Sequence, residues 1–322
     1  MNDPLFHLQW GLHLIQAQEA WAISDGEGAV IAIIDSGIDL KHADLASQLL
    51  KNRGRDFVEP DAPDGPQDEN SHGTSVAGIA AAVTGNALGI AGVAPRARIM
   101  PIRVCDEGGT CDNPVVARGI LYAAKRGADV INISLGGGYV TSRLDMGEGP
   151  LDHAVRKAWE KGAVIVASAG NEVLPICSEP AATPNANAIC VGATDRNDLP
   201  AAYSNSDAVL MTNYLVAPGG NGLDALPNQA ACEGGVLSTY LRSAQHTSCS
   251  PGRGFDVGSG TSLATPFVSG VAALLVSQGL TNDQVLETIL ATADDLGTPG
   301  RDPRFGFGRV NALNAVKRGA TY

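Results

Sequence analysis

The chain has 322 residues, 44% hydrophobic and 17% charged, enough to bury a sizeable core, with a formal net charge of -12. That acidity, with no block of lysines and arginines, argues against nucleic acid or an anionic membrane surface as a partner. No apolar stretch approaches the roughly 20 residues of a bilayer span, and Met1-Asn-Asp-Pro-Leu-Phe6 lacks the basic start and apolar core of a signal peptide; a soluble, already processed chain is expected.

Apolar, β-branched runs without polar alternation predict buried strands over 29–34, 98–104, 129–135, 163–168, 188–192 and 213–217. Helical patterns separate several of them, at 75–83, 114–126 and 151–161. A long apolar helix then starts near Thr261 and runs to Val276, followed by a helix over 281–292, a loop over 297–308 and a last helix over 310–318. Strands alternating with helices predict an α/β fold, a doubly wound and mostly parallel sheet flanked by helices, here as a single domain over residues 1–322. Functional residues are then expected at the carboxyl ends of the strands. The Gly/Asn/Ser-rich stretch 219–258 exceeds ordinary loop length and reads as an ordered insertion.

Six cysteines stand in loosely spaced pairs rather than in the close Cys-x-x-Cys pairs of zinc sites, which favours disulfides and an oxidising compartment over metal binding. The sequence-local pairing is Cys105 with Cys111, Cys177 with Cys190, and Cys232 with Cys249.

Three segments carry chemistry. Ile31-Ala-Ile-Ile-Asp-Ser-Gly37 ends a strand with the carboxylate of Asp35, Ser71-His-Gly-Thr-Ser75 opens a helix with the imidazole of His72, and Gly260-Thr-Ser-Leu-Ala-Thr-Pro266 presents the Ser262 hydroxyl where a long helix begins. A serine hydroxyl needs an adjacent base to take its proton as it attacks a carbonyl carbon. That base needs a carboxylate to hold its tautomer and to stabilise its charge. A developing oxyanion needs donors, which the Asn171 amide and the Ser262 backbone N–H could supply, helped by the positive end of the helix. Taken singly, Asp35 reads as a turn aspartate, His72 as a satisfied loop histidine, Ser262 as a helix cap and Asn171 as a turn residue. Their co-occurrence is what carries the reading.

With Val93-Ala-Pro95, Asn132-Ile-Ser-Leu-Gly136, Ala167-Ser-Ala-Gly-Asn-Glu172, Val191-Gly-Ala-Thr194, Ala217-Pro-Gly219 and Gly306-Phe-Gly-Arg-Val-Asn311, the chain resembles the subtilisin-like serine proteases over nearly its whole length, in their Asp, His, Ser order. The resemblance implies a secreted, monomeric serine endopeptidase with polypeptide substrates, and a propeptide or protein inhibitor as a further partner. Ser75 and Phe267 depart from the histidines common in relatives, and Leu263 from methionine; these departures are expected to alter the pocket rim and not the triad.

The resemblance also implies a substrate-binding edge at Ser134, Leu135 and Gly136, continuing to Gly138, and a specificity pocket between that edge and Ala169 and Gly170, with Val173–Ser178 as its far wall. That wall is mainly apolar, so a large hydrophobic residue just before the cut bond is expected. Asp145, Glu148 and Glu172 support a rival, a kexin-like processing protease selective for basic residues; an inert binding module of the same fold is a third reading. A structural Ca²⁺ is implied at Asp3, Asp44 and Asn86, completed by backbone oxygens near Val83, Leu88 and Ile90; solvated surface acids and a turn asparagine are the alternative.

Overall fold

The computed structural model describes residues 2–136, 149–183, 187–208, 212–222 and 229–322. Short helices α1 (Trp10–Leu14) and α2 (Ala17–Ala20) lead into β1 (Val30–Asp35), β2 (Arg55–Asp56), α3 (His72–Ala81), β3 (Arg98–Arg103) and α4 (Asn113–Lys125). Then come β4 (Val130–Ile133), α5 (Pro150–Glu160), β5 (Val164–Ser168), β6 (Ile189–Thr194), β7 (Asn213–Pro218), α6 (Gln229–Gly234), β8 (Val236–Thr239) and β9 (Phe255–Gly258). The chain closes with α7 (Thr261–Val276), α8 (Asn282–Ala291) and α9 (Ala312–Gly319).

Seven strands form a parallel sheet in the order β2-β3-β1-β4-β5-β6-β7. The continuous apolar runs exist because both faces are covered. Successive side chains point to opposite faces of a strand, so Ile31 and Ile33 enter the core that includes α3 and α7, while Ala32 and Ile34 enter the core that includes α4 and α5. Val164 and Val166 of β5 divide from Ile165 and Ala167 in the same way. The fold is the expected α/β sandwich, and each expected strand lies within two residues of an observed one.

The helices follow their caps. Thr281 starts α8 through a capping box with Gln284. Asn311 accepts the Asn314 N–H and so starts α9 at Ala312, two residues after the expected start. The stretch 219–258 is ordered where described: β8 and β9 form an antiparallel pair, and Cys232–Cys249 clips the segment between them to α6. Cys105–Cys111 and Cys177–Cys190 are the other two disulfides, and no described cysteine is free. The 12 residues 137–148, which hold the end of the expected edge and the acids Asp145 and Glu148, lie outside the described residues.

Candidate active site

Two of the chemical groups follow from strand ends and a third from a helix start. Asp35 is the last residue of β1, His72 the first of α3, and Asn171 follows β5. The His72 Nδ1 lies 2.8 Å from Asp35 Oδ1. Asp35 is 1% exposed, its Oδ1 also accepts the Ser36 N–H, and its Oδ2 has no hydrogen-bond partner among the described residues. Burial by itself disfavours the charged imidazole; the charge and hydrogen bond of Asp35, helped by the charge of Asp68, outweigh it and hold the His72 pKa above its ordinary value.

Asp68 is a residue that the sequence reading missed. It is 2% exposed and accepts hydrogen bonds from the Ser36 hydroxyl, the Asn70, Ser71 and Thr74 N–H groups, and the Thr74 hydroxyl. Burial raises its pKa, and these hydrogen bonds oppose the rise. Ser36 in turn accepts the Gly73 N–H. One carboxylate thus ties the start of α3 to the end of β1. The signal in the sequence was the Asp-Glu-Asn-Ser run before His72, a string of residues that bond their own backbone.

Ser262 lies in the first turn of α7, so its N–H has no intrahelical carbonyl. The turn needs Gly260, whose φ of 152° and ψ of 157° belong to a region that side chains exclude. A Cβ placed there would meet Ser262 Oγ at 3.0 Å and Asn171 Nδ2 at 3.8 Å, so the amide and the hydroxyl flank one point. Asn171 Oδ1 accepts both the N–H and the hydroxyl of Thr261, which leaves Nδ2 as the free donor end. Four residues on, Pro266 has no N–H for the Ser262 carbonyl; the Ser134 hydroxyl donates to it instead, at 2.8 Å. Behind that bond, Asn132 donates to Ser134 and accepts from Ser269.

Asp35, His72, Asn171 and Ser262 line one cleft of about 710 Å³, together with Ser134, Leu135, Gly136 and Gly170. No hydrogen bond joins His72 to Ser262 among the described residues, an arrangement that such sites often show without substrate. A Cβ on Gly136 would meet Ser168 Oγ at 3.6 Å, Ser178 Cβ at 3.7 Å and Gly170 Cα at 3.8 Å, which locates a small pocket of glycines and serines. Ala169 stands behind it, fully buried, with its N–H on Val191 and its carbonyl on Ser178 and Asn205.

The expected far wall is only partly there. Ser178 faces the pocket, but 173–176 does not line the cleft: Val173 is 67% exposed and Asn205 holds the N–H of Leu174. Glu179 and Pro180 line it instead. Glu172 is exposed and accepts the Asn205 amide at 2.9 Å. A second cavity, of about 240 Å³, lies on the other side of His72 and Ser262, with Ser75 and Leu263 in its wall. Phe267 does not shape the rim: it is 3% exposed in the core, where a Cβ on Gly11 would meet its ring at 2.6 Å.

The oxygen-bearing residues Asp3, Asp44 and Asn86 also meet. Asp3 accepts the N–H groups of Gly85 and Asn86; Asp44 accepts the Asn86 amide and the Ile90 N–H; Asn86 Oδ1 accepts the Leu88 N–H; the Val83 N–H donates to the Asp44 carbonyl. Asp3 and Asp44 are 6% and 0% exposed, and no described cation pairs with either. Burial raises the Asp44 pKa, the Asn86 and Ile90 bonds and His42 oppose it, and the Asp3 charge adds to it. No group of three or more His, Cys, Asp or Glu side chains suited to a metal occurs among the described residues, so most ligands here would be amide and carbonyl oxygens. Two buried carboxylates that form no ion pair among the described residues fit a hard cation, once the Asn86 amide turns its oxygen inward.

A buried carboxylate on an imidazole and a half-buried hydroxyl at a helix N-terminus thus share one cleft. The chain matches the Subtilase family over residues 26–308 and belongs to that family. It is 42% identical over 317 residues to thermitase of Thermoactinomyces vulgaris, covering 98% of this chain and 99% of that relative. It is 40% identical to the thermophilic serine proteinase of Bacillus sp. strain AK1, over 98% of this chain and 69% of the relative. Among solved structures, one titled as proteases from Pseudoalteromonas arctica PAMC 21717 superposes with a TM-score of 0.82 at 31% identity, covering 99% of both chains. One titled as a lanthipeptide protease gives 0.80 at 26% identity over 97% of this chain and 95% of the other.

The Asp35 contribution has a direct readout. Titrating the His72 ring by NMR, Asp35→Asn should lower its pKa relative to the unmodified chain, because removing a negative charge destabilises the imidazolium. An unchanged or higher value would show that Asp35 does not set it.

Proposed function

We propose that the chain is one catalytic unit, a secreted serine endopeptidase that cleaves polypeptides through an acyl-enzyme formed at Ser262. The Asp35–His72 hydrogen bond of 2.8 Å, in the cleft that Ser262 lines, carries the reading. As Ser262 Oγ attacks the peptide carbonyl carbon, its proton passes to His72 Nε2, and the ring charge is met by Asp35. The oxyanion is taken by Asn171 Nδ2 and the Ser262 N–H. Collapse of the tetrahedral intermediate breaks the C–N bond, with His72 protonating the leaving amine. Water then attacks the ester by the same route and frees the acid and Ser262. The backbone before the cut bond pairs along Ser134–Gly136. Three disulfides support an oxidising, extracellular setting; no helix among the described residues is long and apolar enough to cross a membrane.

Ser262→Ala should retain the fold and abolish turnover and labelling by an organophosphorus serine reagent; near-normal turnover would sink the assignment, and an unlabelled parent chain would favour an inert module. Asn171→Ala should cost about 100- to 1,000-fold in kcat, the loss found for the equivalent donor in subtilisin itself rather than a figure calculated for this chain.

The Gly136 pocket presents glycines and serines, and the Glu172 carboxylate beside Gly170 is already engaged by the Asn205 amide, so an apolar side chain before the cut bond is favoured over a cationic one. On matched peptide amides, kcat/KM should rank phenylalanine and leucine above arginine. The reverse order would support the processing-protease reading.

A Ca²⁺ held by Asp3, Asp44 and Asn86, with carbonyls near Val83, Leu88 and Ile90, would neutralise the buried acids and fasten the N-terminus to the 83–90 loop. Its chemistry is structural. Chelation should then lower the melting temperature and speed autolysis, since an ion bound only to the folded state stabilises it. Superimposable melting curves with and without chelator would remove the ion from the account.

A further inference from the structure

Asn205 is fully buried, and its side chain grips the backbone on both sides of Asn171. Its Oδ1 accepts the N–H groups of Glu172 at 3.0 Å and Leu174 at 2.8 Å. Its Nδ2 donates to the Ala169 carbonyl at 2.9 Å, to Glu172 Oε2 at 2.9 Å and to Ser178 Oγ at 3.2 Å, and its own N–H donates to the Gly170 carbonyl at 2.9 Å. Exchanging the two ends of the amide would set an NH2 against two N–H groups, so these partners fix its orientation. The grip is anchored in the sheet. The Asn205 carbonyl accepts the hydroxyls of Ser204 and of Tyr214 in β7, and Ser204 in turn accepts the Ala193 N–H of β6.

Asn171 has little else to hold it. Among the described residues its backbone makes no hydrogen bond, and its side chain bonds only to Thr261. The turn that carries it is not one that the chain takes up freely. Gly170 has a φ of 104°, and the exposed, β-branched Val173 has a φ of 58°, a left-handed conformation that such side chains rarely adopt. A Cβ on Gly170 would collide with Asn205 Nδ2, so the turn and the amide are closely fitted.

We propose that Asn205 is a positioning residue for the reaction, holding the 169–174 turn in the shape that aims the Asn171 amide at the oxyanion. The proposal rests on the peptidase reading given above, with Asn171 Nδ2 as an oxyanion donor. Asn205 touches no reacting atom and acts through Asn171. A donor counts only where it meets the developing charge, and a misplacement of about 1 Å can cost on the order of 100-fold in rate.

The test is a double-mutant cycle between Asn205 and Asn171, read in kcat and KM on one peptide amide per mole of folded chain. Asn205→Ala should lower kcat about tenfold and change KM by less than about twofold, since it weakens a contact made only in the transition state. In the Asn171→Ala chain the same substitution should lower kcat by less than about twofold, because the group that it positions is gone. An unchanged kcat in Asn205→Ala would overturn the proposal. So would an equal loss in both backgrounds, or a loss carried by KM, as a role confined to Ser178 and the Gly136 pocket would give. Asn205→Ser, which keeps a hydroxyl in the space, takes the place of Asn205→Ala if that chain does not fold, with the same expectations. If neither folds, Asn205 serves stability alone and the proposal is overturned. An Asn171→Ala chain as fast as the parent would remove both residues from the oxyanion account and leave the peptidase reading standing. A parent chain that cleaves nothing would instead take down that reading.

Discussion

The seating of α3 against the end of β1 is the constraint on which the candidate site depends, and a single buried carboxylate enforces it. Asp68 gathers donors from Ser36 on one side and from Asn70, Ser71 and Thr74 on the other. A buried carboxylate is tolerable only when its oxygens are satisfied, and these donors supply that. They also hold Ser71 at a φ of 97°, a strained conformation for a residue with a side chain, which costs on the order of 1–3 kcal/mol. The parallel sheet delivers Asp35 to its carboxyl edge, but it does not determine where His72 stands. Asp68 does, and the 2.8 Å contact between them follows.

Acidity has different local uses in this chain. At Asp35 and Asp68 the negative charge favours a cation that forms within the protein, the imidazolium. At Asp3 and Asp44 it is locked under backbone and amide donors near the N-terminus. At Glu179 it stands in the cleft wall with no hydrogen bond or ion pair among the described residues. The net charge of -12 conceals this division, because only burial and partners distinguish a solvated acid from one that acts.

Much of this was legible in the sequence, for reasons that differ by element. Buried parallel strands such as Val30–Asp35 and Val164–Ser168 are continuous apolar runs, so their pattern survives without context. The short helices before β1 were not seen because they are 5 and 4 residues long and separated by Gln16 in a left-handed conformation, too short for periodicity to register. The β8–β9 pair was hidden in a stretch whose composition reads as loop, its strands only 4 residues each. Asp35, His72, Asn171 and Ser262 stood out as candidates because each sits at or near the start or end of an element. The pocket wall could not, since which of the residues 173–180 turn inward is decided by Asn205, whose side chain holds the N–H groups of Glu172 and Leu174 from 33 and 31 residues away. Asp68 looked like one more surface acid until its five donors were seen.

Pro266 breaks the regular bonding of α7 one turn after Ser262, and the carbonyl it releases is claimed by Ser134, a residue of the edge along which a peptide would lie. The same hydroxyl is held by Asn132, which Ser269 holds from farther down the helix. The edge and the first turn of α7 therefore share hydrogen bonds and cannot fray separately. In native-state hydrogen exchange they would belong to one opening unit, protected to the same degree. A helix with an uninterrupted ladder would have been more regular locally, but its end would have been free to loosen without the strand beside it.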